Sequence, residues 1–285
     1  TQDHVNNTIG DISLAEYIKK FDFSDLFINY YLLPMGAAIW SAPSQKMNDF
    51  PAKSFFNFWH NHCLLQIKDR PKWQTVKNGA HSYVKKIREL VPNIVMDSVI
   101  SVDRQENTII TTCKSGKKVE SDKLIIATHA DEALSLLNAP SNDEKKLLGA
   151  WHYSKNKTYL HTDTSLLPPK RRAWASWNVY EEHALSAENP VSVSYYMNRL
   201  QNLATTKDYI VSLNPIKYIK EEKIIKEMTY THPIFNKESL DSQAKLPSLQ
   251  GNQNTYFVGS YFGYGFHEDA VRSAVNVAKL LGCEL

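Results

Sequence analysis

Hydrophobic positions recur with a helical period in the first part of the chain, up to Val91. Apolar residues spaced three and four apart predict helices at 14–21, at 26–31, from Pro51 to about residue 59, and at 83–91. Proline lacks the N–H that a helix interior needs, so Pro34 is expected to end the second helix, whereas Pro51 suits a helix start. The polar residues 1–10 are predicted to form an arm.

Beyond Pro92 the hydrophobic period changes to two, which is typical of β-strands. Three alternating segments predict a small antiparallel meander: Val95–Val102, Asn107–Cys113 and Lys117–Glu120. Lys114-Ser115-Gly116 is its expected hairpin turn. Lys123–Thr128 is continuously apolar, as a strand buried on both faces should be, and a helix is predicted at 131–137.

A second group of alternating segments indicates an antiparallel sheet between residues 145 and 250. The predicted strands are Lys157–Thr162, Ala173–Asn178, Val191–Tyr196 and Tyr209–Leu213. The breaks between them fall at Pro168-Pro169, Asn189-Pro190 and Asn214-Pro215.

The C-terminal stretch has the pattern of a strand, a glycine-rich loop and a helix. Tyr256–Gly259 is the predicted strand, and the helix is expected from about Glu268. Its apolar stripe is predicted at Val271, Ala274, Val275, Ala278 and Leu281. Free N–H groups at such a helix start can hold an anion or a polarised carbonyl, and Gly263 and Gly265 allow close approach of the backbone. The same pattern also occurs as an ordinary strand-turn-helix corner.

Composition narrows the class of protein. The 285 residues are 42% hydrophobic and 11% aromatic, enough for a large core in two lobes. The net charge of +3 is too balanced to favour nucleic acid or an anionic membrane as a partner. No apolar run is long enough for a transmembrane segment and no signal peptide is evident, so a cytoplasmic location is expected.

Candidate metal and nucleophile sites are weak in this sequence. The three cysteines show no Cys-x-x-Cys spacing, which argues against both a disulfide framework and a zinc site. His60 and His62 are two residues apart and would point to different sides of a helix, so no metal site is predicted. No convincing acid–base pair or Ser-His-Asp arrangement is found.

The run Tyr-Phe-Gly-Tyr-Gly-Phe-His-Glu-Asp at 261–269 resembles the C-terminal flavin-binding motif of the amine-oxidase superfamily. It is more closely similar to a bacterial group of predicted NAD/FAD-binding, amine-oxidase-like proteins. Other segments resemble the same group across nearly the whole chain: Leu33–Ser41, Phe50–Ala52, Asn61–Gln66, His161–Asp163, Trp174–Asn178 and Tyr195–Gln201.

The resemblance implies an α/β fold with an α+β second lobe. A partial FAD/NAD(P)-binding, Rossmann-like domain with a β-meander would be joined to an amine-oxidase-like substrate domain of antiparallel sheet and helices. Residues 1–73 would be the helical part of the substrate domain and 145–250 its antiparallel sheet. Residues 74–144 would be the second half of the FAD-binding domain, and 251–285 its C-terminal strand-turn-helix.

The resemblance also implies roles for individual residues. FAD is the implied cofactor, contacted by Val99, Gly259, Ser260, Gly265, Phe266, His267, Glu268 and Asp269. Val99 would bind the adenine through its backbone, and the His267 N–H would meet the pyrimidine edge of the flavin. Tyr264 and Phe266 would form an aromatic wall beside the substrate. Weaker pocket candidates from the second lobe are Trp177, Asn178, Tyr195 and Asn198; no catalytic residue is assigned.

The chain departs from the family pattern in two places. No Gly-x-Gly-x-x-Gly unit, which holds the cofactor pyrophosphate, is present in these residues. The missing unit is expected on a segment of about 130 residues, upstream in the same gene or on a separate chain. The chain alone is therefore expected to bind FAD poorly and to be inactive. Ser260 stands where many relatives carry an acidic residue.

The implied function is that of an FAD-dependent oxidoreductase, which transfers hydride from an unidentified small-molecule substrate to the flavin. An amine and a lipid-linked compound are both compatible substrates. Two alternatives stay open: a non-catalytic binding or scaffold module that kept the fold, and a desaturase- or isomerase-type flavoenzyme acting on lipids.

Overall fold

The computed structural model describes residues 8–40, 44–66, 68, 71–72, 74–106, 108–180 and 191–283. Most of the polar arm, at 1–7, the predicted break at Asn189-Pro190 and the predicted domain boundary at residue 73 lie outside the described residues.

The α-helices are α1 Leu14–Lys19, α2 Asp25–Phe27, α3 Leu33–Trp40, α4 Ala52–Asn61, α5 His81–Leu90, α6 Ala130–Leu136, α7 Asn142–Gly149, α8 Met197–Leu200, α9 Lys237–Gln243 and α10 His267–Leu280. The strands are β1 Val99–Arg104, β2 Ile109–Cys113, β3 Lys118–Ser121, β4 Leu124–Ile126, β5 His152–His161, β6 Trp177–Tyr180, β7 Ser192–Tyr196, β8 Ile210–Leu213, β9 Ile224–Ile234 and β10 Thr255–Phe257. None of the described helices is both long and apolar enough to cross a bilayer.

The N-terminal helices enclose an aromatic core, as the helical period predicts. The ring of Trp40 lies 4.5 Å from that of Phe50 and 5.0 Å from that of Phe58. Gly36 makes the packing of α3 on α4 possible, because a Cβ there would lie 2.8 Å from Cε2 of Phe55. The helix predicted from Pro51 is confirmed as α4.

Pro34 does not end the second helix, so that prediction is wrong. The chain passes from α2 through a π-helical turn, Ile28–Leu32, into α3, which contains Pro34 and continues to Trp40. The Leu33 N–H bonds to the carbonyl of Ile28, five residues back, and this wider turn relieves the clash that a proline ring otherwise causes.

The predicted meander is confirmed as an antiparallel sheet in the order β1-β2-β3. Gly116 closes the β2–β3 turn with a φ of 87°, a conformation that favours glycine. The first strand begins at Val99 rather than at Val95, and the second begins at Ile109.

The second sheet is also confirmed as antiparallel, with the strand order β6-β7-β8-β5-β9. Two details differ from the prediction. The segment 171–173 forms a 3-10 turn, so that β6 begins only at Trp177. The long edge strand β9 was missed because its polar residues and Pro233 hide the alternation, both of which an edge position tolerates.

The predicted buried strand, β4, pairs in parallel with β10. Ile126 is buried, but Ile125 on the opposite side is 48% exposed, so the expectation of burial on both faces is wrong. Among the described residues this parallel sheet has two strands, and the exposure of Ile125 shows that this face of β4 is only partly covered.

Two amphipathic helices turn their predicted apolar stripes outward. None of the residues of α5 is buried, although Tyr83, Val84 and Ile87 share one face. In α10 the buried positions are Asp269, Ser273 and Val277, while Val271 of the predicted stripe is 56% exposed. The predicted stripe of α10 is therefore wrong as a core face.

The chain forms two compact units, each containing two separate stretches of sequence. The first comprises Thr1–Asn93 and Ser154–His232, and the second comprises Ile94–Tyr153 and Pro233–Leu285. The second unit holds the meander, the β4–β10 pair and α10. The assignment of residues 1–73 and 145–250 to a substrate domain, and of 74–144 and 251–285 to an FAD-binding domain, stays a prediction.

A buried ion pair joins the meander to α7 inside the second unit. Both guanidinium nitrogens of Arg104 bind the Glu144 carboxylate, at 2.6 and 2.9 Å, and both side chains are almost fully buried. Burial alone would raise the pKa of Glu144, but the hydrogen bonds and charge of Arg104, together with the hydrogen bonds from Ser141, outweigh burial and lower that pKa.

Removing one partner of this pair should destabilise the fold strongly. We expect Arg104→Met to cost about 3–5 kcal/mol in the free energy of unfolding, because Glu144 would be left buried without its counter-charge. Chemical denaturation measures this cost. Lys157→Met is the control, since it breaks the exposed pair with Glu227 and should cost at most about 1 kcal/mol. Equal costs for the two variants would contradict the prediction.

Candidate functional site

The glycine-rich loop begins where β10 ends. The Val258 N–H bonds to the Ile126 carbonyl, which extends the parallel pairing of β10 with β4 by one residue. A 3-10 turn, Ser260–Phe262, and the residues 263–266 then lead into α10. Ligands of α/β proteins commonly bind beyond the carboxyl ends of parallel strands, and the loop lies at that edge.

Two glycines of this loop are required by close packing. A Cβ on Gly259 would lie 2.5 Å from Cε1 of Tyr261, whose ring covers the glycine. A Cβ on Gly263 would overlap the side chain of Asp269. The loop can therefore fold back onto its own helix only with glycine at both positions.

Asp269 holds the loop from within α10. Its carboxylate is 7% exposed and accepts the N–H groups of Tyr264 and Phe266, at 3.0 and 3.1 Å. Arg272 lies 3.6 Å from the other oxygen. The structure thus directs the Asp269 carboxylate at the backbone of its own loop, and its predicted contact with the cofactor stays a prediction.

A cluster of aromatic rings packs against the loop. Trp151 packs edge-on against Phe235, with ring centres 5.6 Å apart, and lies 5.8 Å from the ring of Tyr261. Gln243 donates from its amide to the carbonyls of Tyr261 and Gly263. The loop is therefore held by contacts on two sides, which fixes the position of its backbone.

Gly265 has the conformation that most restricts substitution in this loop. Its φ of +96° is one that side chains rarely adopt, and a Cβ there would lie 3.4 Å from Cε2 of Phe235. The next residues, Phe266, His267 and Glu268, are exposed.

The start of α10 presents free hydrogen-bond donors. The bonds of this helix begin with the N–H groups of Asp269 and Ala270, both directed at the Phe266 carbonyl. The N–H groups of His267 and Glu268 have no acceptor among the described residues. These two donors lie at the positive end of a 14-residue helix, an arrangement that suits an anion or a polarised carbonyl.

The helix after β4 begins differently, because its first N–H group is already bonded. The N–H of Ala130, at the start of α6, donates to the hydroxyl of Tyr153 at 3.0 Å. The ring of Tyr153 is stacked on His129 with ring centres 4.3 Å apart, and burial raises the pKa of its hydroxyl. In the first turn of α6 the N–H groups of Ala130 and Glu132 thus already have acceptors, whereas the first two N–H groups of α10 have none among the described residues.

Val99 opens the edge strand of the meander. It pairs with Cys113, and the register shifts between Val99 and Ser101. β2 is the one strand paired with β1 among the described residues, but the outer edge of β1 is occupied at Val102, whose carbonyl accepts the Asn138 N–H. The position of Val99 is compatible with its predicted main-chain contact with adenine, which stays a prediction.

The weaker candidates lie in the first unit, on β6, β7 and the helical turn α8. Trp177 and Tyr195 are cross-strand partners whose rings meet edge-on at 5.5 Å. Asn178 uses its side-chain amide to bind Ala175 on both its N–H and its carbonyl. Asn198 likewise binds the Tyr209 N–H and the Lys207 carbonyl. Both asparagine amides thus stabilise loops.

No family model matches the chain, and no curated protein matches it by sequence. Solved structures do match. A variant of putrescine oxidase with redesigned cofactor binding has a TM-score of 0.64 at 11% identity, over 98% of this chain and 69% of that one. Reduced UDP-galactopyranose mutase has a TM-score of 0.61 at 13% identity, over 99% of this chain and 71% of that one.

A fatty acid isomerase from P. acnes, described as producing CLA, has a TM-score of 0.57 at 13% identity. It is matched over 87% of this chain and 63% of its own. The chain shares the fold of these enzymes. The predicted fold class is thereby confirmed, and at such low identity the likeness extends to the fold alone. The chain spans between about three fifths and seven tenths of the length of these three structures.

A buried polar chain in the second sheet was missed by the sequence reasoning. His161 is fully buried, and its Nε2 lies 2.8 Å from the Ser212 hydroxyl, which lies 2.7 Å from that of Ser194. The Asp163 N–H donates to Nδ1 of His161, so Nε2 carries the proton and donates to Ser212. His161 is therefore not positioned as a base toward Ser212.

The role of Asp269 in holding the loop can be tested without any cofactor. Asp269→Ala removes the acceptor of two loop N–H groups, so we expect hydrogen exchange at Tyr264 and Phe266 to accelerate about tenfold or more, with about 1–2 kcal/mol lost in stability. Glu268→Ala is the control, because that side chain is exposed and only distantly paired with Arg272. Unchanged exchange in Asp269→Ala would contradict the assignment.

The burial of His161 predicts a pH dependence of stability. Burial lowers the pKa of its imidazole to about 4, below the value of about 6.5 expected in the unfolded chain. The unfolded state binds the proton more readily. The contribution of neutral, buried His161 to the free energy of unfolding is therefore complete above pH 6.5 and is lost as the pH falls toward 4. Between pH 7 and 4.5 the free energy of unfolding of the wild type should fall by about 2 kcal/mol more than that of His161→Gln. Urea unfolding at both pH values measures the difference; parallel losses would refute this cause.

Proposed function

We propose that this chain is the C-terminal part of an FAD-dependent oxidoreductase of the amine-oxidase type. The observation that carries the proposal is the open start of α10, where the N–H groups of His267 and Glu268 follow a glycine loop held at the carboxyl edge of parallel strands. The sequence resemblance at 261–269 and the fold shared with putrescine oxidase support the same conclusion.

Residues of the second unit would hold the cofactor. The N–H of His267 would bind the pyrimidine edge of the flavin, with that of Glu268 beside it. Gly259 and Ser260, at the end of β10, would lie along the chain that connects flavin to phosphate, and the Val99 backbone would contact the adenine. When bound, FAD supplies an atom that accepts hydride from the substrate.

Asp269 and Gly265 would act by positioning. Asp269 fixes the backbone at Tyr264 and Phe266, and Gly265 lets the loop pass close to Phe235. The rings of Tyr264 and Phe266, set on this fixed backbone, would form the aromatic wall beside a substrate. Trp177, Asn178, Tyr195 and Asn198, all in the first unit, stay proposed as weaker pocket candidates.

Cofactor binding would also require a segment that carries Gly-x-Gly-x-x-Gly. The second unit supports this proposal, because Ile125 of β4 and Val271 of α10 expose apolar side chains where a doubly covered sheet would bury them. A nucleotide-binding segment, contributed by the same gene or by a separate chain, would supply the missing strands and helices.

Flavin chemistry without net oxidation is the alternative. The fold likeness to a fatty acid isomerase favours it and brings lipids within the range of proposed substrates. The two reactions differ in electron balance. An oxidase reduces oxygen or another acceptor once per turnover, whereas an isomerase returns the electrons to the product.

Flavin content decides between the enzyme and a non-catalytic scaffold. The chain should be purified alone and co-expressed with a Gly-x-Gly-x-x-Gly segment encoded upstream or in a separate gene. We expect a colourless sample that self-associates through its exposed apolar faces in the first case, and a yellow complex in the second. Stoichiometric FAD in the chain alone would remove the need for the segment. A colourless complex, or no such segment in the genome, would favour the scaffold.

Gly265 provides a local test in the yellow complex. Gly265→Val should abolish flavin binding while the complex stays folded, because a φ of +96° strains a branched side chain and the loop beside Phe235 would have to change its path. Gly282→Val is a matched control: its φ of +82° imposes similar strain, but no atom lies within 4 Å of its Cβ position. Normal flavin absorbance in Gly265→Val would show that the glycine serves only the turn.

A further inference from the structure

The first unit contains a cavity of about 440 Å³ beside the second sheet. Its lining includes the apolar residues Leu166, Leu167, Pro168 and Val179, the aromatic residues Trp174 and Tyr180, and one lysine, Lys217. This volume falls within the range of pockets that bind small molecules. The cavity lies within one compact unit, and none of its features depends on flavin binding.

Two polar side chains of the lining already have hydrogen-bond partners. The indole N–H of Trp174 donates to the Pro168 carbonyl at 2.7 Å. The side-chain amide of Asn178, also at the cavity, binds both Ala175 and the carbonyl of Ser194. These groups shape the wall and are not available to orient a ligand.

Lys217 is the charged residue of the described lining. Its Nζ lies 4.2 Å from the ring centre of Tyr180, a cation–π contact that holds the ammonium over the aromatic wall. Among the described residues, no carboxylate pairs with Lys217 and no aspartate or glutamate lines the cavity. A positive charge at an apolar cavity favours a ligand with one anionic group and an apolar body.

We propose that this cavity is a binding site for an amphipathic monoanion, a small carboxylate with an aliphatic or aromatic body. The body packs on Leu166, Leu167 and Val179, and the carboxylate pairs with Lys217. The site is additional to the one proposed at α10. It stands or falls independently of flavin binding, because its test measures binding alone.

Decanoate is the probe, and decyltrimethylammonium, with the same chain and the opposite charge, is its control. Methyl NMR signals of Leu166, Leu167 and Val179 report on the cavity itself. We expect decanoate to shift these methyl signals and to bind more tightly than the cation. A third probe, 4-phenylbutyrate, separates an aliphatic body from an aromatic one. Binding of either acid more tightly than the cation supports the proposal. The acid that binds more tightly of the two shows whether the body of the ligand is aliphatic or aromatic.

Variants separate the charge from the cavity. Lys217→Met should weaken decanoate binding about fivefold, as expected for a partly exposed ion pair, whereas Lys170→Met, an exposed lysine outside the lining, should leave it unchanged. Val179→Trp, at an exposed rim position, should fill the cavity and abolish the shifts at Leu166 and Leu167. Equal affinity for decanoate and the cation, an unchanged Lys217→Met, or shifts confined to methyl groups elsewhere would overturn the proposal. Absence of binding by both acids would also overturn it.

Discussion

The return of the Asp269 carboxylate to its own loop is the interaction on which the candidate site depends. Two backbone N–H groups converge on one buried oxygen, and they reach it only because Gly263 leaves room for the side chain. This contact fixes the loop to the first turn of α10. The donors of His267 and Glu268 remain outside the contact and keep a defined direction.

Local signals in the sequence predicted the elements of this fold well. The change of period after Pro92 and the turn at Gly116 identified the meander, because strand alternation and a left-handed turn are properties of short stretches. The glycines at 263 and 265 located the loop for the same reason. The resemblance at 261–269 added the fold class, which periodicity alone could not supply.

The parts that could not be predicted depend on what lies across from each residue. Pro34 continues a helix because the preceding turn is widened, and this widening depends on hydrogen bonds that spacing does not reveal. His161, Ser212 and Ser194 form a buried polar chain because three strands of one sheet bring them together. Read along the chain, each is an ordinary polar residue in a strand. Only their pairing shows that they satisfy one another.

The burial of polar residues in α10, opposite an exposed valine, affects which substitutions this helix tolerates. Its inward side carries Asp269 and Ser273, whose oxygens hold the backbone at Tyr264, Phe266 and Gly259, while Val271 faces outward. Scales that rank substitutions by hydropathy would treat the valine as protected and the serine as replaceable. For these two positions the opposite ranking holds in the chain by itself, because loss of the Ser273 hydroxyl releases the Gly259 N–H, whereas loss of the Val271 side chain uncovers nothing that was buried. Selection on the outward side would then reflect association with a partner segment rather than the folding of this chain.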